Sequence, residues 1–90
     1  MNTSNQSTLS IINPIELGRK LKSFRLRANL SQLDLEIRLG KSVGSLSRIE
    51  NGSVNPSKET ILLIARELNL TPSETASLFD ININSQAKEE

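Results

Sequence analysis

Ninety residues allow one small domain closed around a core of Leu and Ile, since Phe24 and Phe79 are the only aromatics. Neither cysteine nor histidine is present, which excludes a disulfide framework, thiolate metal sites and the commonest general base. No apolar run approaches the roughly 18 residues of a membrane span and no signal-peptide core is present, so the expectation is a soluble cytoplasmic protein without cofactor, metal or membrane partner. The net charge of +1 conceals an asymmetry. Residues Ile15 to Gly52 carry eight Lys/Arg against four Asp/Glu, whereas Ser53 to Glu90 carry three against six. A basic half of this kind suits a polyanion-facing side.

Met1 to Ile12 is rich in Asn, Ser and Thr without a periodic apolar face, and residues 1–12 are expected to form a flexible arm. Asn13-Pro14-Ile15-Glu16 reads as a helix start, with a capping Asn and Pro at the first helical position. The first helix then runs to about Arg27 or Ala28, its stripe made by Leu17, Leu21, Phe24 and Ala28. Asn29 supplies a left-handed stop. Ser31 caps a second helix, Gln32 to Leu39, with Asp34 in its first turn and Gly40 closing it. Ser42 is expected to cap a third helix from Val43 to about Asn51, ended by Gly52.

Pro56 forces its predecessor out of helical geometry, and Ser57 caps a fourth helix from Lys58 to about Leu68. Ile61, Ile64, Ala65 and Leu68 face inward there, with Leu62 and Leu63 widening the stripe. Asn69 repeats the Asn stop. Thr71-Pro72-Ser73-Glu74 is a capping box that opens a fifth helix, Pro72 to about Asp80, with Thr75, Leu78 and Phe79 inward. Residues 81–90 read either as a frayed, flexible tail or, through the alternation Ile81-Asn82-Ile83-Asn84, as a short pairing edge. The fold class is all-α: a compact domain over residues 13–80, with five short helices and a helix-turn-helix at 31–51.

The second and third helices meet a demanding geometry, with a tight Gly connection and Leu35, Leu39, Leu46 and Ile49 turned to the core. On a helical wheel Leu46, Ile49 and Glu50 point one way, while Gly44, Ser47, Arg48 and Asn51 point the other. A polar outer face without bulky apolar residues is what entry into a DNA major groove requires.

At these residues the chain resembles the lambda repressor/Cro (Xre-type) helix-turn-helix family. The likeness is carried by Arg25, Leu30-Ser31-Gln32, Leu35, Leu39-Gly40, Ser42, Leu46-Ser47-Arg48-Ile49-Glu50-Asn51-Gly52, Pro56, Thr60-Ile61-Leu62 and Ile64-Ala65, between about Ile15 and Phe79. The resemblance implies a five-helix lambda-repressor-like domain that binds double-stranded DNA as a homodimer. It implies base-facing positions at Val43, Gly44, Ser47 and Arg48. Phosphate or groove-edge positions follow at Gln32, Ser42, Ser45 and Asn51, with Lys41 as a further phosphate contact. Backbone amides at Asn51 and Gly52 are implied to approach a phosphate, and Gln32 to brace the third helix. Arg25 and Glu50 are implied to form a partly buried ion pair, and the wheel independently sets both beside the inward faces.

Two departures from the family pattern stand out. Glu36 occupies a position that is usually Ala, and is expected to turn outward or meet Arg38, Lys41 or Arg48. Val43 and Gly44 stand where relatives carry hydrogen-bonding side chains, so readout rests on Arg48, either on guanine or on phosphate, with Ser45 and Ser47 assisting. The expected function is sequence-specific transcriptional regulation, as a repressor. The alternative is an interaction module such as an antitoxin or the N-terminal domain of a larger regulator, with a partner patch on helix 5 or the tail through Leu78, Phe79, Ile81 and Ile83. With no nucleophile–base pair and no Gly-rich phosphate loop, no enzyme is expected.

Overall fold

Each helix of this chain has to satisfy the backbone N–H groups that its first turn leaves free. In the computed structural model, which describes residues 8–82, four helices do so with their own caps. Asn13 Oδ1 accepts from Ile15 N and Glu16 N at 2.9 and 3.2 Å and starts α1, Pro14–Arg27. Ser31 and Asp34 form a reciprocal capping box on α2, Gln32–Leu39. Ser57 Oγ accepts from Thr60 N at the start of α4, Lys58–Glu67. Thr71 and Glu74 form a second capping box on α5, Pro72–Ala76. Asn29 and Asn69 both adopt the left-handed conformation after α1 and α4, with φ of 61° and 55°.

The remaining helix, α3, is Ser45–Glu50, two residues shorter at its start than expected. Gly44 stands at its N-cap with φ +90°, a conformation that L side chains rarely adopt. Ser42 does not cap it: the Ser42 carbonyl accepts from Ser45 N and Ser45 Oγ instead. The helix also lacks any side-chain cap at Gly44 itself.

The five helices bury Leu17, Leu21, Leu35, Leu46, Ile49, Ile61, Ile64 and Leu68 together with Leu78 and Phe79 in one cluster. Each of these side chains contributes about 1.5–3 kcal/mol relative to an exposed position. α1 and α3 cross at Gly18, which is fully packed. A Cβ there would lie 2.6 Å from the Ile49 carbonyl oxygen and nearer still to that of Glu50. Both are backbone atoms of α3, so only glycine lets the two helices approach this closely.

The ends of the fold depart from the expected arm and tail. Residues 8–11 form β1, Thr8–Ile11, and pair antiparallel with β2, Phe79–Asn82, in the register Thr8↔Asn82, Leu9↔Ile81, Ser10↔Asp80 and Ile11↔Phe79. Ile12 N donates to Leu78 O, and Ile11 and Ile12 pack against the core. The arm is therefore anchored from residue 8 onward, and the alternation at Ile81-Asn82 serves pairing. Residues 1–7 and 83–90, including Ile83 and Asn84, lie outside the described residues.

α5 ends at Ala76, four residues earlier than expected. Ser77 Oγ donates back to Glu74 O, and the chain then turns into the ribbon. Leu78 and Phe79 are in the core, so they form no partner patch. Leu62 and Leu63 do not widen the inner stripe of α4: they are 51% and 38% exposed.

Candidate nucleic-acid interface

Position along α3 is decided by two carboxylates, one at each end. Glu36, on the second turn of α2, is 3% exposed. Its Oε2 accepts from Gly44 N at 3.0 Å and from Leu46 N at 2.9 Å. The carboxylate thus replaces the missing cap of α3 from across the turn, where the N-terminal end of a helix favours an anion. This overturns the expectation that Glu36 turns outward or meets Arg38, Lys41 or Arg48. Two otherwise orphaned amides offer it a better site than any of the three arginine and lysine side chains, all of which remain exposed.

At the other end, Glu50 meets Arg25 of α1. Arg25 Nε donates to Glu50 Oε2 at 2.6 Å and its Nη2 to Oε1 at 2.9 Å, while Nη1 donates to the Leu30 carbonyl at 2.7 Å. The two side chains are only 6% and 4% exposed. The Glu50 carboxylate pushes the Arg25 guanidinium pKa up, against the opposing effect of burial. Gln32, at the first position of α2, donates from Nε2 to the same Glu50 Oε1 at 2.9 Å. One glutamate therefore ties α1, α2 and α3 together, and Gln32 braces α3 through it. The Asp34 carboxyl in the capping box of α2 is held below its ordinary value, chiefly by the Ser31 backbone N–H.

Held at both ends, α3 buries Leu46 and Ile49 and turns Ser47 and Arg48 outward. Val43, in the turn before it, is 78% exposed. The Arg48 guanidinium runs back over Gly44, where a Cβ would sit 3.5 Å from Nη1. Gly44 offers no hydrogen bond outward, because its amide is committed to Glu36. Around this face, Ser42 is exposed and Lys41 is exposed with Nζ 3.4 Å from Thr60 Oγ1. The Ser45 hydroxyl donates to Ser42 O. Asn51 Oδ1 accepts from the Ser53 amide and hydroxyl, which leaves Nδ2 facing solvent. The amides of Asn51 and Gly52 donate to Ser47 O and Ile49 O. They close α3 and are not free for an external anion. Two other basic residues are committed elsewhere: Lys20 donates to Ser77 O, and Arg27 binds Glu74 and lies over the Phe24 ring.

The sequence points to Arg25, Gln32 and Glu50 as neighbours around α3, but it misplaces Glu36 and gives no role to Gly18. For Gly18 a signal was available. A glycine inside a strongly periodic helix costs about 1 kcal/mol against alanine, so its presence asks for a packing reason.

A buried, doubly anchored short helix behind a polar face, joined to α2 by a tight left-handed turn at Gly40, is the architecture of a helix-turn-helix protein. The helix-turn-helix family model matches residues 21–74, and the chain belongs to this lambda repressor-like (Xre-type) family of DNA-binding transcriptional regulators; it is not an enzyme. Among solved structures it is similar to the restriction-modification controller protein C.AhdI from Aeromonas hydrophila, at 30% identity and a TM-score of 0.63 over 68% of this chain and 92% of that one. It also shares its fold with the clp gene regulator ClgR from C. glutamicum, at 21% identity and a TM-score of 0.67 over 83% and 91% of the two chains. No curated protein sequence matches it. Among the described residues no helix is long and apolar enough to cross a membrane.

Proposed function

We propose that the chain is a sequence-specific repressor that inserts α3 into the major groove of double-stranded DNA and acts as a homodimer on paired half-sites. The observation that carries this reading is the contrast across α3: both of its ends are tied to buried carboxylates, while its outer face shows Ser47 and Arg48 beside the exposed Val43. Such a helix enters the groove as a rigid body, without ordering cost at the moment of binding.

Arg48 is the side chain able to read a guanine edge bidentately, and Val43 is able to meet a thymine methyl. Ser47 serves as an adaptable donor and acceptor between them. Lys41 and Ser42 grip phosphates from the turn, Ser45 and Asn51 Nδ2 from the flanks of the helix, and Gln32 through the second hydrogen on Nε2. The similarity to a restriction-modification controller protein supports a regulatory role. Two copies would bind half-sites about one DNA turn apart, in the cytoplasmic compartment where the nucleoid lies.

Selection of bound sequences from random DNA tests this directly. The expected result is an enriched two-fold symmetric motif. Lys41→Ala weakens binding to all sequences alike and lowers the salt slope by about one, whereas Arg48→Ala costs about 1–3 kcal/mol at one base position and relaxes preference there. Absence of enrichment even at low salt would overturn the reading.

A further inference from the structure

The outward face of α4 is covered by nothing within the chain. At about 100° per residue, Ile61, Ile64, Ala65 and Leu68 point into the core, where all four are buried. Glu59, Leu62, Leu63 and Arg66 point the opposite way and line an open apolar depression. We propose that this face is a two-fold interface between two copies of the chain, with the α4 helices antiparallel and the axis passing between Leu62 and Leu63. The proposal rests on the homodimer reading above and names its surface.

The order of charges selects this occupant. An axis between Leu62 and Leu63 brings each Leu62 onto Leu63 of the second copy. The same axis sets Glu59 across from Arg66 of the second copy. This cross-axis charge pair is opposite and occurs twice, as an isologous contact requires. A parallel arrangement would oppose like charges at both positions. Among the described residues neither Glu59 nor Arg66 has an ion-pair partner inside the chain. Glu59 and Arg66 are seven residues apart, about 10 Å along the axis, too far to pair within one helix. Glu59 and Arg66 cancel, so the face does not attract a polyanion and does not compete with the basic turn around α3. One ten-residue helix per copy gives a contact below the about 1,200–2,000 Å² of stable complexes. Self-association is therefore expected in the micromolar range or weaker, and strengthened when DNA holds two copies side by side.

The test is charge reversal by exchange between copies. Glu59→Arg and Arg66→Glu, each made alone, put like charges across the axis. Both residues are exposed, so circular dichroism and melting should stay those of the parent chain. Sedimentation equilibrium should show each variant self-associating at least tenfold more weakly. Mixing the two variants in equal amounts should restore dimers, now mixed ones, because every Glu59–Arg66 contact becomes opposite again. The double variant should dimerise like the parent. Single variants that associate normally, or a mixture that stays monomeric, would overturn the interface. So would a parent chain that stays monomeric to about 1 mM and fills two half-sites without cooperativity, as expected if a different protein covers this face. Affinity for DNA carrying one half-site is read in parallel; its absence sinks the DNA reading and leaves self-association to decide the interface.

Discussion

The two ends of α3 are held by the same functional group in two different ways. At the C-terminal end, Glu50 faces a cation, and its ion pair with Arg25 is closed by Gln32 and the Leu30 carbonyl. At the N-terminal end, Glu36 faces only two backbone amides. The first arrangement depends on opposite charge, since removing either partner strands the other in a dry site. The second depends on acceptor capacity, since any oxygen in the right place satisfies the amides. A recognition helix can thus be fixed by electrostatics at one end and by capping at the other.

The largest effect is expected where charge is stranded. Arg25→Met leaves Glu50 buried beside Gln32 alone, and should lower stability by about 3–5 kcal/mol. In a domain of this size that corresponds to roughly 4–8 °C of melting temperature per kcal/mol. DNA affinity should fall with it, because the end of α3 loses its anchor. Glu50→Gln probes the same end from the other side, and a melting temperature and DNA affinity equal to the parent's would refute the structural role of the pair.

At the other end, Glu36→Ala removes the acceptor for two amides, one of them fully buried. The loss should be about 2–4 kcal/mol, given about 1–3 kcal/mol for each unsatisfied buried donor and partial repair by water. Glu36→Gln keeps an oxygen at the site and should cost about 1 kcal/mol or less. Chemical denaturation of both variants breaks the comparison if alanine and glutamine are equally damaging, since that would mean that charge, not capping, holds this end.

Much of the fold is legible along the chain because its signals are local. The caps at Asn13, Ser31, Ser57 and Thr71 act on amides two or three residues away, and the stops at Asn29, Gly40 and Asn69 are set by one φ each. The inward stripes follow from helical period. What escapes is set by tertiary contact. Glu36 lies eight and ten residues from the amides it caps, and those amides become orphans only once Gly44 has turned left-handed. Four residues of alternation in Thr8-Leu9-Ser10-Ile11 are too few to declare a strand until β2 lies beside them. Leu62 and Leu63 match an inward pattern in hydropathy but fall on the wrong side of the wheel. In the candidate site, the Arg25–Glu50 pairing was legible from the wheel and from the family motif together, whereas the committed amides of Asn51 and Gly52 were not.

Gly18 sharpens the comparison at the C-terminal end, because it carries the backbone of Ile49 and Glu50 against α1. Gly18→Ala adds one methyl where only backbone can yield. It should cost about 1–3 kcal/mol as overpacking, against the gain of up to about 1 kcal/mol that the same change brings in an unconstrained helix. The displaced Glu50 should also weaken DNA binding beyond what stability alone explains. A stabilised Gly18→Ala protein would mean that α3 can slide on α1 without loss, and that the ion pair rather than the helix crossing sets its position.

The smallest effect belongs to the second arginine–glutamate pair, which serves as the exposed control for the first. Arg27, two residues after Arg25 on α1, binds Glu74 of α5 through two hydrogen bonds, but the arginine side chain is 54% exposed. The Arg27 guanidinium, followed by the Thr71 backbone N–H, draws the Glu74 pKa down from 4.5 to about 2. A carboxyl whose folded-state value is depressed adds stability above its unfolded value and loses it as the pH falls toward the folded one. The contribution of Glu74 should therefore be complete above about pH 4.5 and vanish on approach to pH 2. Glu74→Gln should melt slightly below the parent at pH 7, and the two should converge as the pH falls through this window, because an exposed pair is screened by solvent. High salt at pH 7 should narrow the same gap, while leaving the deficit of Arg25→Met almost untouched. If salt instead erases both deficits alike, the Arg25–Glu50 pair is as wet as its neighbour, and the dry electrostatic anchor of α3 is disproved.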